Sequence, residues 1–191
     1  MNYWQTLDQE IFYWINTGLS NRVFDAILPY FREKWFWAPF YLFVVAFVWQ
    51  NFKNMKGGIL LLGLALAVGL SDYTSSTLIK KNVQRLRPCN DPQLENMVIL
   101  RVPCGRGYSF TSSHAANHFA VATYLFVVLS LKCTPGSRLA LLIWAALISF
   151  SQVYVGVHFP FDVIGGGALG GSLGLALGKL FLFLSRRKLY T

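Results

Sequence analysis

A chain of 191 residues is the size of one domain, and this one is 54% hydrophobic and 16% aromatic with only 13% charged residues. Soluble domains carry about 25% charged residues, so this balance, with a mean hydropathy of +0.44, argues against a soluble globular protein and for an integral membrane one. The net charge of +9 would suit nucleic acid, but the basic residues sit in short loops between apolar runs and no aromatic–basic platform accompanies them, so no nucleic-acid partner is expected.

The first 34 residues are amphipathic rather than spanning. Asp8 and Glu10 stand where a secretory signal would carry basic residues, so the first span is expected to direct insertion itself. Trp4, Leu7, Ile11, Trp14 and Ile15 recur at helical spacing; after the Asn16-Thr17-Gly18 break, Val23, Phe24, Ile27, Leu28 and Phe31 form a second stripe. Two helices lying in the membrane interface fit this pattern, and a single crossing formed by residues 11–31 is the competing reading. The chain therefore divides into 1–34, an interfacial segment, and 35–191, a transmembrane domain.

A helix needs roughly 20 mostly apolar residues to cross a bilayer. Residues 35–52, 57–79, 115–131, 139–157 and 163–185 qualify, interrupted only by Asp72, His118 and Lys179. The expectation is an all-α integral membrane bundle of about five spanning helices, some short enough to need tilt or local thinning. In the last span Gly165, Gly166, Gly167, Gly170, Gly171, Gly174 and Gly178 read as a face for close helix packing rather than as a phosphate cradle.

Alternation then sorts the loops. The second span ends, the third begins, the fourth ends and the fifth begins on one side. The opposite side receives Lys53, Lys56, Lys132, Arg138, Arg186, Arg187 and Lys188 with no acidic residue. The positive-inside rule makes that second side cytoplasmic, with the C-terminus. The first side faces outward, into the periplasm of a bacterial inner membrane or the exterior. Cys89 and Cys104 share the outward loop, where a disulfide between them is expected; two free thiols or a metal pair are the alternatives. Cys133 lies on the other side.

Three polar constellations fall on the outward junctions. Lys80, Lys81, Arg85 and Arg87 crowd into eight residues ending at Pro88, and like charges so clustered call for an anion. Ser112 is a natural N-cap for the third span, leaving the N–H groups of Ser113 and His114 pointing at an anion. His158 with Asp162 pairs an imidazole and an orienting carboxylate, the arrangement that frees Nε2 as nucleophile. Two histidines, a carboxylate and fixed cations at one surface are the parts needed to attack a phosphate ester. His114 and His118, four apart, could instead ligate zinc, but His-Ala-Ala-Asn-His lacks the Glu base of zinc hydrolases, and His118 reads better as an interhelical hydrogen-bond partner.

Lys80-x6-Arg87-Pro88, Ser112-Ser113-His114 and Ser151-Gln152-x5-His158-x3-Asp162 together resemble the three-part signature of the type 2 phosphatidic acid phosphatases, the PAP2 superfamily, over roughly residues 70–170. The resemblance implies a helical-bundle lipid phosphatase needing no metal and no cofactor. In it His158 attacks phosphorus, Asp162 orients His158, His114 protonates the leaving oxygen and later activates water, and Lys80, Arg87, Ser112 and Ser113 hold the phosphoryl oxygens. Its partners would be membrane lipids and a lipid phosphate substrate: undecaprenyl pyrophosphate, phosphatidylglycerophosphate, phosphatidate or lipid A. Two departures stand out. Thr111-Ser112-Ser113-His114 replaces the usual Pro-Ser-Gly-His, and Gln152 replaces an Arg. Loss of that charge-assisted contact is worth a few kcal/mol, so Arg85, Arg101 or Arg106 is a candidate substitute, and a non-catalytic member that binds anionic lipid is the alternative function. Asp72, at about the depth of Gln152 by helical rise, is expected to hydrogen-bond it or to pair with a site cation.

Overall fold

Caps and prolines cut this chain into helices where the sequence supplies them. The computed structural model describes residues 3–33, 35–52, 55–94 and 97–187; Lys53 and Lys188, two of the basic residues used to orient the chain, lie outside them. Helix α1 (Tyr3–Tyr13) runs into a π-helical turn, Trp14–Gly18. Asn21 then caps α2 (Arg22–Phe31), its side chain accepting the Val23 and Phe24 N–H groups at 3.0 and 2.9 Å. Residues 19–21 separate α1 and its π-helical turn from α2, so residues 11–31 are not one continuous helix. Helix α3 (Ala38–Asn51) carries Pro39 in its first turn, and α4 (Met55–Tyr73) continues through a π-helical stretch, Thr74–Ile79, into the short α5 (Lys80–Val83). Gln84, left-handed at φ 52°, ends that run. A long loop leads to α6 (Ser113–Val128); α7 (Pro135–Tyr154) and α8 (Pro160–Arg187) follow, each opening on proline, which cannot miss the hydrogen bond its position lacks.

Among the described residues the fold is all-α, and three helices are long and apolar enough to span a bilayer: Lys56–Val83, Pro135–Tyr154 and Pro160–Ser185. Helix α3 is apolar but shorter. Helix α6, expected as the third of five spans, is only 16 residues long. It sits at the centre of the bundle against α4, α7 and α8, with Ala115, Ala116, Ala120 and Ala122 fully buried. A helix surrounded by protein meets little lipid, so it can afford His114, Asn117 and His118. Helix α8 approaches it along glycines, and a Cβ at Gly170 would collide with the Ala116 carbonyl.

Two apolar clusters hold the molecule. One lies within the bundle and includes Val48, Leu60, Tyr124, Leu125, Trp144 and Phe181. The second joins Phe12, Ile15 and Leu28 of the N-terminal helices to Val153, Val155, Val157 and Phe159 at the junction of α7 and α8. Burial of such side chains is worth about 1.5–3 kcal/mol each, so the N-terminal helices are packed onto the end of the bundle, while Trp4, Trp14 and Trp35 remain exposed.

Candidate active site

The ends of α5, α7 and the starts of α6, α8 meet at one end of the bundle. Gly156, at φ 88°, turns the chain out of α7; a Cβ there would meet Val98 Cγ1 at 2.9 Å and the Ile99 carbonyl at 3.0 Å, so both conformation and space demand glycine. The turn is tied down by the Gln152 carbonyl, which accepts the Val157 and His158 N–H groups at 3.2 Å each. His158 is thereby delivered into the interior, 2% exposed.

Arg87 Nη1 donates to His158 Nε2 at 3.2 Å and to the Val157 carbonyl at 3.1 Å. An arginine can only donate, so Nε2 holds the lone pair and the proton sits on Nδ1. Nδ1 faces Asp162 Oδ2 at 3.4 Å, close enough for charge attraction but too loosely aligned for a hydrogen bond. Burial drives the His158 imidazole down to about 4, against the upward pull of Asp162, so the ring is neutral at pH 7. Asp162 itself is fully buried in the first turn of α8, where Oδ2 accepts the Phe159 N–H at 2.8 Å and Oδ1 accepts Arg85 Nη1 at 2.9 Å. An acid at a helix start is also favoured by the helix dipole.

The Ser112 N–H donates to the Asp162 carbonyl at 2.9 Å, which docks the start of α6 against α8. The Ser112 hydroxyl is fully buried and caps α6 by accepting the Ala115 N–H at 3.4 Å, which leaves its own O–H to donate. The Ser113 hydroxyl is held by Ser75 at 3.0 Å and Ser76 at 2.9 Å; the π-helical stretch turns both of those serines toward it. What the first turn of α6 also leaves open is backbone: the N–H groups of Ser113 and His114 have no partner within the helix. His114 is half-buried there and within electrostatic reach of His158 and Lys80, while Lys80 feels Arg87 and Asp162. Lys80, Arg87, His114, His158 and Asp162 are thus brought together.

Other residues fall differently. Asp72 does not meet Gln152; it accepts from Asn117 Nδ2 at 3.0 Å and Ser76 at 3.5 Å, and has no ion pair among the described residues. Gln152 faces inward, with Oε1 unpartnered. His118 donates from Nδ1 to the His114 carbonyl at 2.7 Å and takes the Tyr41 hydroxyl on Nε2 at 3.0 Å, linking α6 to α3. Of the three candidates to replace the missing arginine, Arg85 is bound by Asp162 and Asp8, and Arg101 by Asp25, Ser20 and the Asn16 and Tyr154 carbonyls. Arg106 is exposed, with no partner among the described residues. Cys89 and Cys104 are disulfide-bonded, with Cα atoms 6.0 Å apart. The bond brings Gly105 over the Arg87 guanidinium, where a Cβ would touch Cζ at 3.4 Å.

Asp8 was not expected here. It is 1% exposed, donates nothing, and accepts both Arg85 Nη2 at 2.6 Å and the Phe161 N–H at 2.8 Å. Burial lifts its carboxyl above the usual range, although those two donors pull it down. The signal was present as Asp8, Phe12 and Ile15, spaced four and three apart on the buried face of the first helix.

The sequence profile described as the PAP2 superfamily matches residues 56–186. The chain is 26% identical over 183 residues to the lipid A 4'-phosphatase of Bacteroides thetaiotaomicron, covering 95% of this chain and 78% of that protein. It is 31% identical over 146 residues to the undecaprenyl-diphosphatase of Sulfolobus acidocaldarius, covering 76% and 63%. Its fold is similar to the crystal structure of a transmembrane PAP2-type phosphatidylglycerolphosphate phosphatase from Bacillus subtilis, with a TM-score of 0.69 at 23% identity over 95% of this chain and 87% of that one.

Proposed function

The chain belongs to the PAP2 superfamily, and from that premise we propose that it is a membrane lipid phosphatase working through a phosphohistidine on His158, without metal. The observation that carries the reading is the Arg87–His158–Asp162 contact chain, which leaves a neutral imidazole with its lone pair on Nε2. A lipid phosphate enters with its tail in the bilayer. Arg87 moves from Nε2 to a phosphoryl oxygen, and Lys80 and the Ser113 and His114 N–H groups take the others. Nε2 attacks phosphorus, the bond to the lipid oxygen breaks, and His114, having taken up a proton along with the anionic phosphate, gives it to that oxygen. Asp162 balances the charge on the phosphorylated ring. His114 then takes a proton from water, which attacks phosphorus; the P–N bond breaks and inorganic phosphate leaves.

Among substrates, the phosphomonoester of lipid A is the best supported, because the lipid A 4'-phosphatase relative aligns with 95% of this chain and so takes in the N-terminal helices, against 76% for the diphosphatase. Residues 1–34 act as an interfacial segment beside the entrance, and 35–191 form the catalytic domain. The site faces the periplasm or exterior of a bacterial inner membrane and the C-terminus faces the cytoplasm, a reading supported by the seven basic residues assigned to the far side.

The test is phosphate release in detergent, with chelator present, from lipid A, undecaprenyl diphosphate, phosphatidylglycerophosphate and phosphatidate. Release from lipid A that vanishes in His158→Ala is expected. Equal release from that variant would remove the mechanism, and no release from any lipid by the wild type would favour the non-catalytic anionic-lipid binder that the neutral Gln152 suggests.

A further inference from the structure

Asp162 does not act on His158 alone. Its other oxygen is held by Arg85 at 2.9 Å, and a guanidinium on one oxygen offsets the charge that the carboxylate offers an imidazole on the other. Arg85 in turn reaches Asp8 at 2.6 Å, and its guanidinium lies 4.0 Å over the Phe159 ring, so it is fixed on three sides. Asp8 comes from α1, the far end of the chain, and is as deeply buried as Asp162. Two carboxylates therefore share one cation. The trio carries a net single negative charge, whereas Arg85 with Asp162 alone would be neutral. That distinction matters beside Lys80 and Arg87, which already face the ring with positive charge.

Resting on the roles given above to His158 and Asp162, we propose that Asp8 is a positioning residue for the phosphoryl-transfer step: it neutralises Arg85, so that Arg85 can hold the Asp162 carboxylate in place without cancelling its charge toward His158. When Nε2 bonds to phosphorus the ring becomes cationic, and the surplus negative charge is what Nδ1–H meets. The interaction is absent from the neutral resting ring and present in the transition state, so its loss falls on kcat rather than on substrate binding. The first helix is then part of the catalytic apparatus and not only a membrane-surface attachment.

A purely structural role would be to tie α1 to the start of α8 through the Phe161 N–H, and a double-mutant cycle separates the two. Asp8→Asn, Arg85→Gln and the double variant are assayed as full chains in detergent on lipid A, undecaprenyl diphosphate and phosphatidate, with thermal unfolding recorded for each. An opposite charge at close range is worth at least about one pKa unit, so Asp8→Asn is expected to lower kcat roughly ten-fold or more with KM nearly unchanged. In the Arg85→Gln background, where nothing needs neutralising, the same substitution should cost little. An equal loss in both backgrounds, or a kcat loss that follows the drop in melting temperature, overturns the proposal. So does Asp8→Asn with wild-type kcat while His158→Ala is inactive, a result that leaves the phosphatase reading intact. An active His158→Ala, or a wild type inactive on all three lipids, removes that reading and this inference with it.

Discussion

Gln152 occupies the place of an arginine in the PAP2 signature, and its surroundings say what the replacement does. Its carbonyl still ties down the turn that carries His158, so the backbone task of the position is kept. Its side chain is fully buried, Nε2 has only the Ser151 hydroxyl at 3.5 Å, and Oε1 has nothing. A buried polar atom without a partner costs about 1–3 kcal/mol, and a ligand that supplied a donor there would recover it. Gln152→Met keeps the length and removes the amide. It is expected to raise stability by about 1 kcal/mol while weakening inhibition by inorganic phosphate. Thermal unfolding in detergent together with the phosphate inhibition constant checks both halves. Unchanged phosphate inhibition would place the amide outside the binding site.

At the scale of elements, two devices hold the site together, and each can be loosened separately. The Cys89–Cys104 bond closes a loop across 15 positions, starting two residues after Arg87 and ending beside the glycine that lies on the Arg87 guanidinium. In the chain-entropy account a loop of this size is worth about 3 kcal/mol. The Cys89→Ser, Cys104→Ser variant is therefore expected to lose about that much stability and, because Arg87 is no longer covered, to show a raised KM for lipid phosphate. Denaturant unfolding and steady-state kinetics are the measurements. The second device is the α6–α8 contact. Gly170→Ala forces a methyl group into the Ala116 backbone and is expected to cost about 3 kcal/mol. Gly69→Ala, in α4 with no atom within 4 Å of the new Cβ, should instead stabilise by about 0.5–1 kcal/mol through helix propensity. These elements were unevenly legible in the sequence. Three of the expected spans, the α6 cap and the glycine face show themselves because each is a local pattern in a nearly uncharged background. The partnership of Asp8 with Arg85, separated by 77 positions, and that of Asp25 with Arg101, separated by 76, depend on how helices pack, and no local period encodes them. The prominent tryptophan stripe makes the first helix read as a surface helix lying in the interface. The shorter stripe of Asp8, Phe12 and Ile15 was the one that turned inward.

The whole molecule turns on a parity. Helices α5 and α7 end, and α6 and α8 begin, where Arg87, His114, His158 and Asp162 meet, so the turn between α6 and α7 and the far end of α8 must lie at the opposite end of the bundle. On the proposed topology Cys133, in that turn, lies across the bilayer from the reaction. Cys133 is the free cysteine among the described residues and is partly exposed, while Cys89 and Cys104 are bonded to each other, so the protein carries its own topological probe. A membrane-impermeant maleimide applied to intact bacterial spheroplasts is expected to leave Cys133 unlabelled until the membrane is permeabilised. A cysteine placed at exposed Arg106, in a Cys133→Ser background, should react at once. The positive-inside bias predicts this sense because the Arg106 loop also carries acids, whereas the Cys133 side does not. The reverse labelling pattern would put the site in the cytoplasm. The lipid pool of the inner leaflet would then supply the substrate, and phosphate would be released into the cell.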